Sequence, residues 1–373
     1  MPQEVKQLKQ QLSKMMNWNE ARLDFLARLL IALVKVKTVN LAELARAFIS
    51  RAEETSRYRR IQRFLKDYEW KEEERALVTM QLIARRERKV LILDRTEWHF
   101  GEQVINILVL AVQYGQVAVP IFWRVMARQG NSETQMRIEL IEKYVELFSR
   151  QSIAYVTGDR EFIGTEWLGY LHEQSIDFRI RIKKNTVITH NGNLVNIREY
   201  LKPVSQEQPL YLTHVEVYGH PVHLMAMTLN SGEYLLIIGN ANPRRFLQEY
   251  QTRWKIEELF ACLKSRGFNF EDTPLTDPQK ISKIVAALTL AFLWAVKTGQ
   301  WLHQLKPIRP KKTLQRPIKS IFRYGLDQLQ NVLLNIHDGI ENLRFLKFSL
   351  NFLSCTSQFS KQFLQNAKST NSG

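Results

Sequence analysis

The sequence predicts an α/β protein: a strand-and-helix core carrying an all-β insertion, with helical regions before and after it. Three patterns predict it. Apolar residues recur at helical spacing through residues 1–80 and again after 278. Between about 88 and 183, compact apolar runs alternate with helical patterns. Residues 184–240 drop the helices and keep only short strand-like runs separated by Asn, Gly and Pro. At 373 residues and 45% hydrophobic content, the chain can form two or three domains, at least one with a sizeable core. The expected divisions are a helical domain at 1–84, a core from 85–183 and 241–300, the β insertion at 184–240, and a C-terminal helical region at 301–373.

Taken in order, Leu23, Leu26, Leu29, Leu30 and Leu33 mark a first apolar helix. Asn40 is placed to cap the next one, with Glu43 at the capping-box position. A third helix has Ile61, Phe64 and Leu65 as its apolar face, and Arg57, Arg59, Arg60, Arg63 and Lys66 crowd the rest. A short helix followed by a very basic one resembles a helix-turn-helix; a solvated basic helix on a plain bundle is the other reading. Lys89–Leu93 reads as a strand ending at Asp94, and Gln103–Gln113 with Gln116–Val125 as a hairpin-linked pair. Ser132–Phe148 reads as a helix, Ile153–Thr157 as a strand ending at Gly158-Asp159, and Glu161–Gln174 as a helix. Asp177–Lys183 alternates apolar and basic residues, the pattern of a strand with one exposed face. The insertion reads as strands at Val187–Val195, Leu210–Val217, Val222–Thr228 and Tyr234–Ile238. Pro243 opens a long helix to about Arg266, stopped by Gly267, and helices follow at 278–305 and 317–350 across a basic, proline-rich linker. The tail after Leu364 is polar and expected to fray.

Charge narrows the partners. There are 53 Lys and Arg against 37 Asp and Glu, a formal net charge of +16. Such a surplus favours a polyanion, either nucleic acid or an anionic membrane face. The apolar runs Phe25–Val36 and Ile284–Val296 are short for a bilayer span, which turns the expectation toward nucleic acid and away from a membrane. Two cysteines, Cys262 and Cys355, make no disulfide framework and have no metal-ligand spacing, which fits a reducing compartment. The N-terminus has no apolar stretch of signal-peptide type.

The acidic residues carry the candidate chemistry. Asp94 and Asp159 are expected at the ends of two core strands, where two carboxylates can share a hard cation; turn and cap roles are the commoner fate of such residues. On the helix after Pro243, Tyr250, Arg253, Glu257 and Lys264 fall within roughly 60° of one another, on one stripe. A carboxylate there can complete a metal pair, Arg253 can grip phosphate as a fork and Lys264 as a point charge, and Tyr250 can pack on a sugar or hydrogen-bond a phosphate. A solvated face with an Arg253–Glu257 ion pair explains the same stripe.

The spacing Tyr-x2-Arg-x3-Glu-x6-Lys from Tyr250 to Lys264 closely resembles the Tyr-Arg-Glu-Lys signature of a group of bacterial insertion-sequence transposases of the Asp-Asp-Glu (DDE) type. Leu93-Asp94-Arg95-Thr96 is similar to that group's first-aspartate motif, and Thr157-Gly158-Asp159-Arg160-Glu161-Phe162 to its second. The likeness runs from about residue 85 to 300, with a weaker match to Arg323-Tyr324-Gly325-Leu326. It implies a ribonuclease H-like core, with which the strand order read above agrees. It also implies two Mg2+ ions, with Mn2+ as a substitute, held by Asp94, Asp159 and Glu257 as metal ligands and catalytic residues. One ion would orient the nucleophile and the other stabilise the leaving 3′ oxygen. It implies cut-and-paste DNA transposition, an endonuclease and strand-transfer activity that recombines element ends with target DNA. The implied partners are double-stranded DNA and a second copy in a synaptic homodimer, in the cytoplasm at the bacterial nucleoid. DNA contacts would come from Tyr250, Arg253 and Lys264; Arg57, Arg59, Arg60 and Arg63 are further candidate DNA contacts on the ground of the basic helix and the whole-chain charge, not of the resemblance. Members of the group stack an insertion tryptophan on a flipped base; here Tyr234 stands at that place and no Trp lies between Trp167 and Trp254. A ribonuclease H-like DNA endonuclease without strand transfer and a host-adopted DNA-binding protein remain the alternatives.

Overall fold

A computed structural model describes residues 2–83, 87–100, 103–126, 133–310, 317–351 and 353. Cys355, the tail after Leu364, residues 311–316 of the linker and the domain boundary at 84–86 lie outside the described residues. Five helices open the chain: α1 (Gln3–Leu12), α2 (Glu20–Val36), α3 (Leu41–Ala47), α4 (Glu54–Asp67) and α5 (Glu72–Ile83). Asn40 caps α3 as expected, its side chain accepting from the amides of Ala42 and Glu43. The reciprocal half of the capping box does not form. Glu43 pairs with Arg46 at 2.6 Å, and the Asn40 amide donates to Thr38 Oγ1 at 3.1 Å.

The strands follow: β1 (Lys89–Phe100), β2 (Gln103–Tyr114), β3 (Val117–Met126), α6 (Thr134–Phe148), β4 (Ile153–Gly158), α7 (Thr165–Glu173) and β5 (Phe178–Arg181). Next come β6 (Val187–His190), β7 (Asn193–Asn196), the short α8 (Arg198–Leu201), β8 (Leu210–Val217), β9 (His220–Thr228) and β10 (Tyr234–Gly239). The single strand expected at Val187–Val195 is a hairpin. Asn191 and Gly192 both take positive φ, 51° and 78°, the backbone a two-residue hairpin turn requires. The chain ends with α9 (Phe246–Tyr250), α10 (Trp254–Leu263), α11 (Pro278–Leu305), α12 (Ile321–Leu334) and α13 (Ile340–Asn351). The helix expected over 317–350 is therefore two, parted at a segment containing His337-Asp338-Gly339.

The chain divides into two compact units: Met1–Arg85, Trp98–Ile105 and Phe260–Gly373 form one, Arg86–Glu97 and Asn106–Leu259 the other. The first is helical. Ile61, Phe64 and Leu65 of α4 are buried, as the apolar pattern predicts, and Phe25 stacks on Phe64 at 4.4 Å between ring centres. Its longest element, α11, is capped by Asp277 and is long and apolar enough by composition to cross a bilayer, against the shorter run expected; 89% of its most apolar window is buried inside the protein.

One ten-stranded sheet has the order β3-β2-β1-β4-β5-β10-β9-β8-β6-β7. The β1–β4 and β4–β5 pairs are parallel, and from β5 outward every pair is antiparallel. The strands of segment 184–240 thus extend the same sheet instead of forming one of their own. β5 departs from the expected half-exposed strand. Flanked by β4 and β10, it has Phe178, Arg179 and Ile180 all buried. Arg179 is compensated there by pairing with Glu249 and lying over the rings of Tyr155 and Phe246 at 5.0 and 5.1 Å.

Candidate active site

Parallel pairing positions the two aspartates. The β1–β4 register runs to Leu93↔Gly158, so Asp94 and Asp159 occupy the next positions on adjacent strands. Asp159 follows the end of β4, as expected. Asp94 does not end its strand: β1 continues six residues beyond it to Phe100, and only the pairing with β4 stops there. The Asp94 side chain is 13% exposed and accepts from the Arg95 amide at 2.7 Å.

The third acidic residue arrives on a broken helix. The continuous helix expected from Pro243 to Arg266 is split by a tight turn at Gln251–Arg253 between α9 and α10. A physical cause lies in β4. Tyr155 donates its hydroxyl to the Glu249 carbonyl at 3.0 Å, drawing on an acceptor that an unbroken α-helix gives to the Arg253 amide. The break turns Arg253 inward, its side chain 6% exposed. Its Nη1 donates to Asp94 Oδ2 at 3.0 Å and its Nη2 to Glu257 Oε1 at 2.5 Å. One guanidinium thus joins two carboxylates far apart in sequence, which holds these oxygens within about 8 Å of each other. Glu257 itself is open, its side chain 56% exposed.

Tyr250 lies in the core with Met225, Met227, Leu235, Ile237 and Phe246 and is 1% exposed. Its ring therefore offers no face to a sugar, a correction to the sequence reading. Its hydroxyl instead donates to Asp159 Oδ1 at 3.4 Å. Lys264 lies just past the end of α10, in the helical unit, and pairs with Glu271 at 3.0 Å. The stripe of four drawn on one helix is thus a cluster of three plus a lysine beyond the helix end.

Burial dominates the electrostatics. It raises the Asp94 carboxyl from 3.8 to about 6; Arg253 and the Arg95 amide oppose the rise, and the charges of Asp159 and Glu161 add to it. Burial also works against the Arg253 cation, but Tyr250, Asp94 and Glu257 outweigh it and hold the guanidinium charge more firmly than usual. For Tyr250, burial pushes the hydroxyl far up, so it remains a donor. The Asp94 shift has a sign. A carboxyl with a raised folded pKa binds its proton more tightly in the native state, so stability falls as pH rises from about 4 through about 6. Asp94→Asn is therefore expected to stabilise the protein in EDTA at pH 7 by up to roughly 3 kcal/mol, with the gain vanishing near pH 4. Thermal melts at both pH values check this; an equal effect at both would leave burial of the charge without a stability cost.

Two residues that the sequence reading left without a role brace the aspartates. Arg95, beside Asp94, pairs with Glu161, two residues after Asp159, through Nε at 3.3 Å and Nη2 at 3.0 Å. The signal was present in the complementary charges of the two motifs, Arg95 one residue after Asp94 and Glu161 two residues after Asp159. The partly buried Glu249 and the buried Arg179, which fix α9 to β5, gave no such signal.

The basic residues of α4 separate into two kinds. Arg57 donates to the carbonyls of Arg46 and Phe48, and Arg60 reaches Asp24 at 3.5 Å and lies over Phe25 at 5.5 Å. Arg59 and Arg63 are exposed. Tyr234 opens β10 opposite Thr228 and is partly exposed.

Among the described residues, no group of three or more His, Cys, Asp or Glu side chains stands assembled to hold a metal. The donors nevertheless fit a hard divalent cation: oxygen ligands on adjacent strands, with a third carboxylate one guanidinium away. A family model described as a transposase DDE domain matches residues 85–294. No curated protein matches the sequence.

Proposed function

This chain belongs to the transposase DDE domain family, and on that premise we propose that it binds the ends of a mobile element, cleaves them and joins their 3′-hydroxyls to target DNA. The observation that carries the site assignment is the meeting of Asp94 and Glu257 on Arg253, beside Asp159. The order β3-β2-β1-β4-β5, with its two parallel pairs, supports a ribonuclease H-like core, and β6 to β10 match the place of an insertion between the second aspartate and the glutamate. The Tyr250-Arg253-Glu257-Lys264 spacing supports the Tyr-Arg-Glu-Lys subgroup.

Asp94, Asp159 and Glu257 would hold two Mg2+ ions. When bound, the ions supply charge neutralisation at the scissile phosphate and a lowered pKa for the attacking hydroxyl. The protein's residues set the geometry around them. The Arg95–Glu161 pair keeps both aspartate motifs in register, and Tyr250 orients Asp159 through its hydroxyl. Arg253 bridges Asp94 and Glu257 in this state. Its fork suits two oxygens of a phosphate equally well, so it can pass from carboxylate to DNA. Attack by water and later attack by a 3′-hydroxyl are the same in-line displacement at phosphorus: a P–O bond forms opposite the one that breaks, and the leaving 3′ oxygen takes up a proton. One site can therefore serve cleavage and joining. The element ends act in pairs, so the proposed active form on DNA is a homodimer, at the nucleoid where the substrate lies. Tyr234 is proposed to stack on a displaced base, with less ring area than the tryptophan it replaces.

The test is incubation with DNA carrying the sequences that flank the protein's own gene. Cleaved ends and joined products are expected in Mg2+ and neither in EDTA. Cleavage without joining would reduce the protein to an endonuclease, and binding without cleavage to a DNA-binding protein.

A further inference from the structure

We infer that the groove between α4 and the start of α11 is a preformed seat for the phosphate backbone of duplex DNA. The choice of DNA rests on the transposase reading; the anionic character of the ligand does not. The groove has a volume of about 580 Å3, and its polar lining is Arg59, Gln62, Arg63 and Lys66 from α4 with Lys280 from α11. Four of these are cations, and no acid lines it. Among the described residues none of the four cationic side chains has an ion pair or hydrogen bond, in contrast to Arg57 and Arg60 on the same helix. The nearby Asp277 is engaged in capping α11, accepting from the Lys280 amide at 2.8 Å.

Spacing matches the ligand. Arg59, Arg63 and Lys66 stand at i, i+4 and i+7, one stripe spanning roughly 10 Å of helix. Along one strand of duplex DNA phosphates recur every ~3.4 Å of axis, so the stripe faces about three of them. The groove carries no aromatic side chain on which an unpaired base could stack, which favours backbone over base recognition.

The seat is also held rigid. Lys283, one turn beyond Lys280 and only 7% exposed, donates to the carbonyls of Leu65 at 2.7 Å and Lys66 at 3.4 Å, pinning the end of α4 to α11. Arg75 adds a bond to Ser282 Oγ at 2.6 Å. The two helices need not move relative to each other when an anion arrives, and only the cationic side chains have to be ordered. The sequence alone groups all the α4 cations as one basic face. The structure withdraws Arg57 and Arg60 and adds Lys280, from far along the chain.

The test is fluorescence anisotropy of full-length protein with a labelled duplex across a salt series. The quadruple variant R59A/R63A/K66A/K280A is expected to lose affinity on the order of 10²-fold at 0.15 M salt, with a log–log salt slope shallower by about 3 to 4. A control, K184A/K202A, removes exposed lysines outside the groove and is expected to change the slope by less than half as much. R59K/R63K keeps the charges and is expected to retain most of the affinity; a melt at the wild-type temperature shows that each variant is folded. Wild-type affinity and slope in the quadruple variant overturn the inference while leaving the transposase reading intact. Loss of single-stranded but not duplex binding overturns the duplex assignment. Failure of the wild-type protein to bind any DNA overturns both readings.

Discussion

Replacing Asp94 or Asp159 by Asn, or Glu257 by Gln, is expected to lower DNA cleavage in Mg2+ by a factor on the order of 10³ or more. Each amide keeps the shape of its side chain and removes the charge that binds a hard cation, so the chemical step should suffer and duplex affinity should change only a few-fold. Burial makes the Asp94 and Glu257 variants distinguishable in a second measurement. The Asp94 side chain is 13% exposed and its charge is costly, so Asp94→Asn should melt higher than wild type at pH 7 even as it loses activity. Glu257 is 56% exposed, and its replacement should leave the melt nearly unchanged. Time courses on labelled end DNA, run beside melts in EDTA, separate a catalytic loss from a folding loss. Cleavage near the wild-type rate in any one variant would remove that residue from the site.

The three carboxylates were legible in the sequence because each sits in a compact local motif, and the parallel β1–β4 register then brings the two aspartates together. The approach of the third was legible only in part. Helical spacing placed Tyr250, Arg253 and Glu257 on one face, yet the helix is broken at Gln251–Arg253, and the group competing for its backbone is Tyr155, 94 positions from Glu249. No periodicity within the helix carries that information. The burial of Arg179 was not legible for a related reason. The alternation in DFRIRIK reads as one wet face, but α9 lies against the Arg179 side chain, Phe246 under its guanidinium and Glu249 as its counter-charge. The continuation of β1 past Asp94 also depends on its sheet neighbours, since Arg95, Thr96 and Glu97 are not a strand-like run by composition. The hairpin at Asn191-Gly192 is different: its turn chemistry is local, and the sequence held the signal.

Gly299→Ala and Gly325→Ala are each expected to destabilise the protein by about 3 kcal/mol or more, against what local rules predict. Alanine is the better helix former by about 1 kcal/mol, so on an isolated helix both changes would stabilise. The contact between α11 and α12 reverses the sign. A Cβ on Gly299 would lie 2.0 Å from the Ile321 carbonyl oxygen, and one on Gly325 would lie 1.9 Å from the Ala295 oxygen and 2.6 Å from the Gly299 nitrogen. All three obstacles are backbone atoms, which cannot swing aside as a side chain can, so relief requires the two helices to part. Parting them opens the core around Phe292 and Phe322, both essentially fully buried and 5.1 Å apart between ring centres. A substitution at Gly339 is the control, because a Cβ there meets nothing closer than 4.0 Å. Denaturant melts of the three variants decide the matter. If Gly299→Ala and Gly325→Ala melt at or above wild type while Gly339→Ala does the same, the close approach of α11 and α12 is absent in solution.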